Sequence, residues 1–124
     1  MAEAVPAVRS VVILADDLIW ATRLSQAIVS AGARPLAARR LADLERQLVP
    51  GGDGLAIIDL TARAYDGVEA IRLAAATGAR VVAVGQHDDA ELRRAAVAAG
   101  AERVFTYRAL FEDGARVLAA WLRR

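Results

Sequence analysis

Asp16 and Asp59 are the residues of this chain best placed to do chemistry. Each follows a short apolar run: Val11-Val12-Ile13-Leu14 leads into Asp16, and Leu55-Ala56-Ile57-Ile58 leads into Asp59. Such β-branched runs read as strands buried on both faces, the mark of a parallel sheet. If the two strands are neighbours, the carboxylates converge in one pocket. A pair of acids there suits Mg²⁺, a hard cation that prefers oxygen ligands and keeps several waters. A plainer role is open to each acid, since Asp16 or Asp17 could cap the helix that follows. Asp59, abrupt after Ile57-Ile58, is harder to assign to solvent.

Other chemistries find little support. The chain has no cysteine, which excludes disulfides and thiolate catalysis. His87 is the only histidine; one histidine cannot make a metal site, and a solvated loop is its expected place. Gly51, Gly52 and Gly54 precede a strand rather than follow one, so they do not form a dinucleotide-binding loop. Trp20 and Trp121 sit at helical spacing with aliphatics and are expected in the core. Arg93-Arg94 reads as a solvated helix face. No Ser-His-Asp or Cys-His arrangement is read from the residues present, and the chain is not expected to be an enzyme.

The elements that must position the two acids follow from periodicity. Trp20, Leu24, Ala27 and Ile28 recur at helical spacing until Gly32. Pro35 to Ala38 is a weaker strand, suited to a sheet edge because proline lacks an amide donor. Leu41 to Leu48 returns to helix, and Pro50-Gly51-Gly52 breaks it. After Asp59 a polar loop through Asp66-Gly67 leads to a helix carrying Val68, Ile71 and Leu73-Ala74, ended by Gly78. Val81 to Val84 is the next strand, stopping at Gly85, and Asp88 to Ala99 is an alanine-rich helix with acids at its start. Arg103 to Thr106 forms the last strand, and Leu110 to Leu122 the closing helix. Strand and helix alternate five times. That order predicts one α/β domain, a parallel sheet with right-handed crossovers and helices on both faces. Ligands of such sheets sit at the carboxyl ends of the strands.

Composition agrees. A chain of 124 residues, 56% of them hydrophobic, can bury a substantial core without metals or disulfides. The net charge of +1 demands no nucleic-acid partner. No apolar run approaches the roughly 20 residues that span a bilayer, so neither membrane nor nucleic acid is an expected partner. Residues 1–10 lack the apolar stretch of a signal peptide and read as a flexible lead-in to a domain over 11–124. A cytoplasmic location is expected. All 16 basic residues are arginine; there is no lysine.

From about Val11 to the C-terminus the sequence resembles the receiver domains of two-component response regulators. Asp16 falls at the position of the family's principal Mg²⁺ ligand, in a register supported by Gly32 and the Trp20/Leu24/Ile28 spacing. Asp59 falls at the phospho-acceptor. The segment from Asp59 to Asp66-Gly67 matches the family's loop in length and in its terminal Asp-Gly, and Ala98-Ala99-Gly100-Ala101 matches the turn before strand five. The resemblance implies sheet order 2-1-3-4-5, with two helices on one face and three on the other. It also implies a metal held by Asp16, Asp59 and the Thr61 carbonyl while Asp59 attacks a phosphohistidine.

The sequence departs from that pattern where the family's switch operates. The first acid of the cluster is Ala15, the hydroxyl position after strand four is Gly85, the lysine position is Tyr107 and the aromatic position on strand five is Val104. Arg63 replaces the loop proline. The lost lysine removes a charge-assisted bond worth about 1.5–3 kcal/mol. Arg63 or Arg108 could supply replacement charge, although strand alternation would point Arg108 away from Tyr107. Tyr107 is expected to fill the space beside Gly85 and partly cover Asp59. The resulting expectation is a degraded, pseudo-receiver module that binds Mg²⁺ weakly and no other cofactor. It would act through protein contacts, with a histidine kinase, a downstream effector or a second copy, on the face of helix four, strand five and helix five. Arg93, Ala95, Ala96 and Ala99 would line that face, with Arg94, Glu91 and Glu102 at its rim. Two alternatives remain: a working phospho-acceptor using Asp59 with Mg²⁺, and a small-molecule-binding flavodoxin-like domain.

Overall fold

The structure, a computed structural model, describes residues 8–124. Five parallel strands alternate with five helices: β1 (Ser10–Leu14), α1 (Leu18–Ser30), β2 (Arg34–Ala38), α2 (Leu41–Gln47), β3 (Leu55–Asp59), α3 (Gly67–Ala76), β4 (Arg80–Gly85), α4 (Ala90–Ala99), β5 (Arg103–Thr106) and α5 (Tyr107–Leu122). The sheet is parallel, as the alternation predicts, and its order is β2-β1-β3-β4-β5, as the resemblance implies. Residues 1–7 of the expected lead-in lie outside the described residues. Its last residue, Ser10, opens β1, and the Arg9 carbonyl accepts from the Arg34 amide at 2.8 Å.

Because strand side chains alternate between faces, the apolar runs divide into two cores. Val11, Ile13, Ile57, Val82, Val84 and Phe105 face α1 and α5, where Leu24, Ile28, Leu118 and Trp121 cover them. Val12, Leu14, Ala56, Ile58, Val81 and Ala83 face α2, α3 and α4, under Leu44, Ile71, Ala74 and Ala96. β2 is an edge. Its Arg34 amide turns inward to β1, which leaves the next position, Pro35, facing away, where a missing donor costs nothing.

Caps fix the helix starts and free one acid for the site. Asp17, not Asp16, caps α1, accepting from the Trp20 amide at 3.0 Å. Asp66 caps α3 and Asp89 caps α4. Gly100 ends α4 at φ 127°, and a Cβ there would lie 2.7 Å from Ala75 Cβ, so both backbone and space require glycine. The closing helix begins at Tyr107, three residues before the expected start. The Thr106 hydroxyl accepts from the Ala109 amide at 3.0 Å and nucleates the turn, and non-helical dihedrals at Asp113 (φ −150°, ψ 33°) then kink the helix.

Candidate functional site

The carboxyl ends of β1, β3 and β4, with the start of α5, surround Asp59. Asp59 is the last residue of β3, its neighbour across the sheet is Val84, and Gly85 pairs with Thr106 one step further on. Its side chain is 1% exposed, the one buried charged group among the described residues. Three donors converge on Oδ1: the Thr61 amide at 3.1 Å, the Thr61 hydroxyl at 3.2 Å and the Tyr107 phenol. The Thr61 hydroxyl also lies within hydrogen-bonding reach of that phenol. Oδ2 receives none of these donors. Burial pushes the Asp59 carboxyl above the usual carboxylate range. The bonds from Tyr107 and Thr61 pull the other way, and the Asp16 charge adds a smaller upward push.

Asp16 organises the loop between β3 and α3. Its Oδ2 accepts from the Arg63 amide at 2.8 Å and the Ala64 amide at 2.9 Å. Partial desolvation raises its pKa, but the amides of Ala64 and Arg63 and the Arg39 charge outweigh it and hold the group below its ordinary value. The donor set fits a resident Mg²⁺ ion poorly. One oxygen of each carboxylate is already engaged, and Ala15 contributes only a buried methyl. Among the described residues no group of three or more His, Cys, Asp or Glu is arranged to hold a metal.

Tyr107 opens α5, and its ring packs against Trp20 in the first turn of α1, with centroids 4.5 Å apart at 47°. Burial first, then the bond to Asp59, pushes the phenol well above its ordinary pKa, so it stays a donor. The phenol covers Asp59, but it does not fill the space beside Gly85. Leu60 does. A Cβ on Gly85 would lie 3.1 Å from Leu60 Cδ1 and 3.8 Å from Val104 Cγ1, because Leu60 turns inward between α3 and β4.

No family model matches the chain, and no curated protein does. Solved structures do. A two-component response regulator from Clostridium difficile superposes with a TM-score of 0.77 at 15% identity, covering 94% of this chain and 97% of that one. A response regulator receiver domain from Rhodospirillum rubrum gives 0.76 at 20% identity over 92% and 93% of the two chains. A beryllofluoride-activated DrrB receiver domain gives 0.75 at 18% identity over 95% and 100%. This chain has the receiver fold. At such identities the likeness is one of architecture, and the chemistry has to be read from the site.

Within that fold, the structure brings Asp16, Asp59, Thr61 and Tyr107 together. Ala15 and Val104 pack in opposite cores, with no polar group to offer. Neither candidate arginine is bonded to Asp59. Arg63 contributes its amide to Asp16 while its side chain is exposed. Arg108 pairs with Glu112 at 2.9 Å; it points away because it is helical, not because of strand alternation. Sequence reasoning missed Tyr65. Its buried hydroxyl donates toward the Leu14 carbonyl at 2.9 Å and the Asp59 carbonyl at 2.7 Å, joining the ends of β1 and β3. An aromatic just before Asp66-Gly67 was the available signal.

The expected docking face needs correction. Leu92, Ala96 and Ala99 follow the inward stripe of α4, and Ala96 is wholly buried. Ala95 is exposed, beside Glu91, Arg94 and Ala98, while Arg93 is half-buried. Glu102 is not a free rim charge: it pairs with Arg80 at 3.2 Å and accepts from the Trp121 indole at 2.9 Å. Trp121 is core as expected, whereas Trp20 is half-buried at the site's edge. His87 is exposed in its loop. Among the described residues no helix is long and apolar enough to cross a membrane.

Proposed function

We propose that this chain is a two-component signalling module whose phosphorylation switch is degraded and which acts through phosphate-independent protein contacts. The observation that carries this reading is the state of Asp59, buried at 1% exposure with Oδ1 engaged by Tyr107 and Thr61. The absence of side chains able to transmit a phosphorylation signal at Gly85 and Val104 supports it. A ligand shifts an equilibrium only through contacts that differ between two states. With no hydroxyl, no lysine and no aromatic switch, a phosphoryl group would meet few groups able to move. Any Mg²⁺ affinity is weak in this account, because one oxygen of each carboxylate is already engaged by Thr61 and Tyr107 or by the loop amides.

The partner is a signalling protein or a second copy, met on the exposed side of α4, β5 and α5. Ala95 and Ala98 allow close approach there, with Arg94 and Glu91 beside them. The test compares self-association or partner affinity of wild type, Asp59→Asn and Ala95→Glu, with and without beryllofluoride. Asp59→Asn should bind like wild type and Ala95→Glu should lose binding. A tenfold change with Asp59→Asn or beryllofluoride, about 1.4 kcal/mol, contradicts the reading. It would favour a working phospho-acceptor, the second reading, which draws support from the free Oδ2 of Asp59 beside Asp16.

A further inference from the structure

We infer that the Tyr107 phenol is an autoinhibitory latch, bonded to Asp59 Oδ1 across the mouth of the site, which shuts that carboxylate off from reagents that would modify it. The inference rests on the reading of a disabled switch and names the group that disables it. A carboxylate at the carboxyl end of a central parallel strand stands where ligands ordinarily reach the sheet, yet Asp59 is 1% exposed. Two groups bond to it and a third backs them. Thr61 approaches from the loop after β3 and Tyr107 from the start of α5, while Trp20, in the first turn of α1, packs against the Tyr107 ring.

The phenol is held at both ends. Its hydroxyl bonds to Asp59 and meets the Thr61 hydroxyl, while its ring lies against Trp20 at 4.5 Å. Trp20 is itself braced by Arg23, whose guanidinium stands 5.9 Å from the Trp20 ring and 4.5 Å from the Phe111 ring. The backbone of Tyr107 belongs to a capped helical turn, fixed by the Thr106 hydroxyl on the Ala109 amide. To uncover Asp59 the side chain must break its polar bonds and its aromatic contact together, so the closed arrangement is the resting one. Gly85 offers no retreat for the ring, because Leu60 fills that space.

The test measures access to Asp59 in the full chain by carbodiimide-driven amidation with glycinamide, read by peptide mass spectrometry. Exposed Asp17 serves as the internal reference. Wild type, Tyr107→Ala and Tyr107→Phe are compared, and each is then incubated with a small phosphodonor and Mg²⁺. In wild type, Asp59 should label at least about tenfold more slowly than Asp17, and Tyr107→Ala should raise its rate about tenfold, the ratio a 1.4 kcal/mol difference gives. Tyr107→Phe keeps the ring on Trp20 and loses only the tether, and should also speed labelling; it decides the matter if the alanine variant fails to fold. Labelling of Asp59 that neither substitution changes, in protein inert to the phosphodonor, overturns the latch and leaves the disabled-switch reading standing. Phosphate taken up on Asp59 by wild type overturns both.

Discussion

Asp59 carries a carboxylate into surroundings that disfavour its charge, and this makes a pH prediction at the scale of one residue. Burial raises its pKa in the folded state above the unfolded value. The stability it contributes is therefore fully present below the unfolded pKa and lost as pH rises through the folded one. Asp59→Asn abolishes the titration and keeps an acceptor oxygen for Thr61 and Tyr107. The variant should melt higher than wild type at neutral pH, with the difference shrinking as pH falls into the carboxylate range. A difference that stays constant across that range contradicts the assignment. Tyr65 makes a second residue-scale prediction. Tyr65→Phe leaves the carbonyls of Leu14 and Asp59 without their shared donor, at a cost of about 1–3 kcal/mol. Urea unfolding with an unchanged m-value should show it; a loss below about 0.5 kcal/mol would mean that water replaces the hydroxyl.

Among the elements, the approach of the β3–α3 loop to β4 decides whether the lost hydroxyl could be restored. Leu60 stands 3.1 Å from the Cβ that any side chain at Gly85 would need. Gly85→Thr alone should therefore overpack the site by about 1–3 kcal/mol. In the Leu60→Ala/Gly85→Thr double variant the two costs should not add, with a coupling of about 0.5–3 kcal/mol; strict additivity in denaturant unfolding would show that Leu60 simply moves aside. Element type and order were legible because the strands are continuous apolar runs and the helix ends carry Asp and Gly signals. What failed had physical causes. The alanines of α4 fall on both of its faces, Ala96 and Ala99 inward and Ala95 and Ala98 outward, so residue type alone does not tell which of them are surface. The hydropathy pattern places the closing helix only from Leu110, because it does not register the Thr106 cap that starts α5 at Tyr107. The site was legible where it depends on acids at strand ends, and illegible where a loop side chain, Leu60 or Tyr65, turns inward.

At the scale of the whole molecule the two ends of the sheet do different work. At the amino ends of β4 and β5, Arg80 pairs with Glu102 and donates to the carbonyls of Trp121 and Arg124, fastening the end of α5. That pole ties the closing helix to the sheet. At the carboxyl ends, Asp16 pins the β3–α3 loop and Tyr107 closes over Asp59, so polar groups that could serve a ligand bond to one another instead. Intact-protein and peptide mass spectrometry after incubation with a small phosphodonor and Mg²⁺ tests the central claim, that Asp59 does not accept phosphate. The account predicts an unchanged mass and an unmodified Asp59 peptide; a phosphoryl adduct on Asp59, absent from Asp59→Asn, would contradict it.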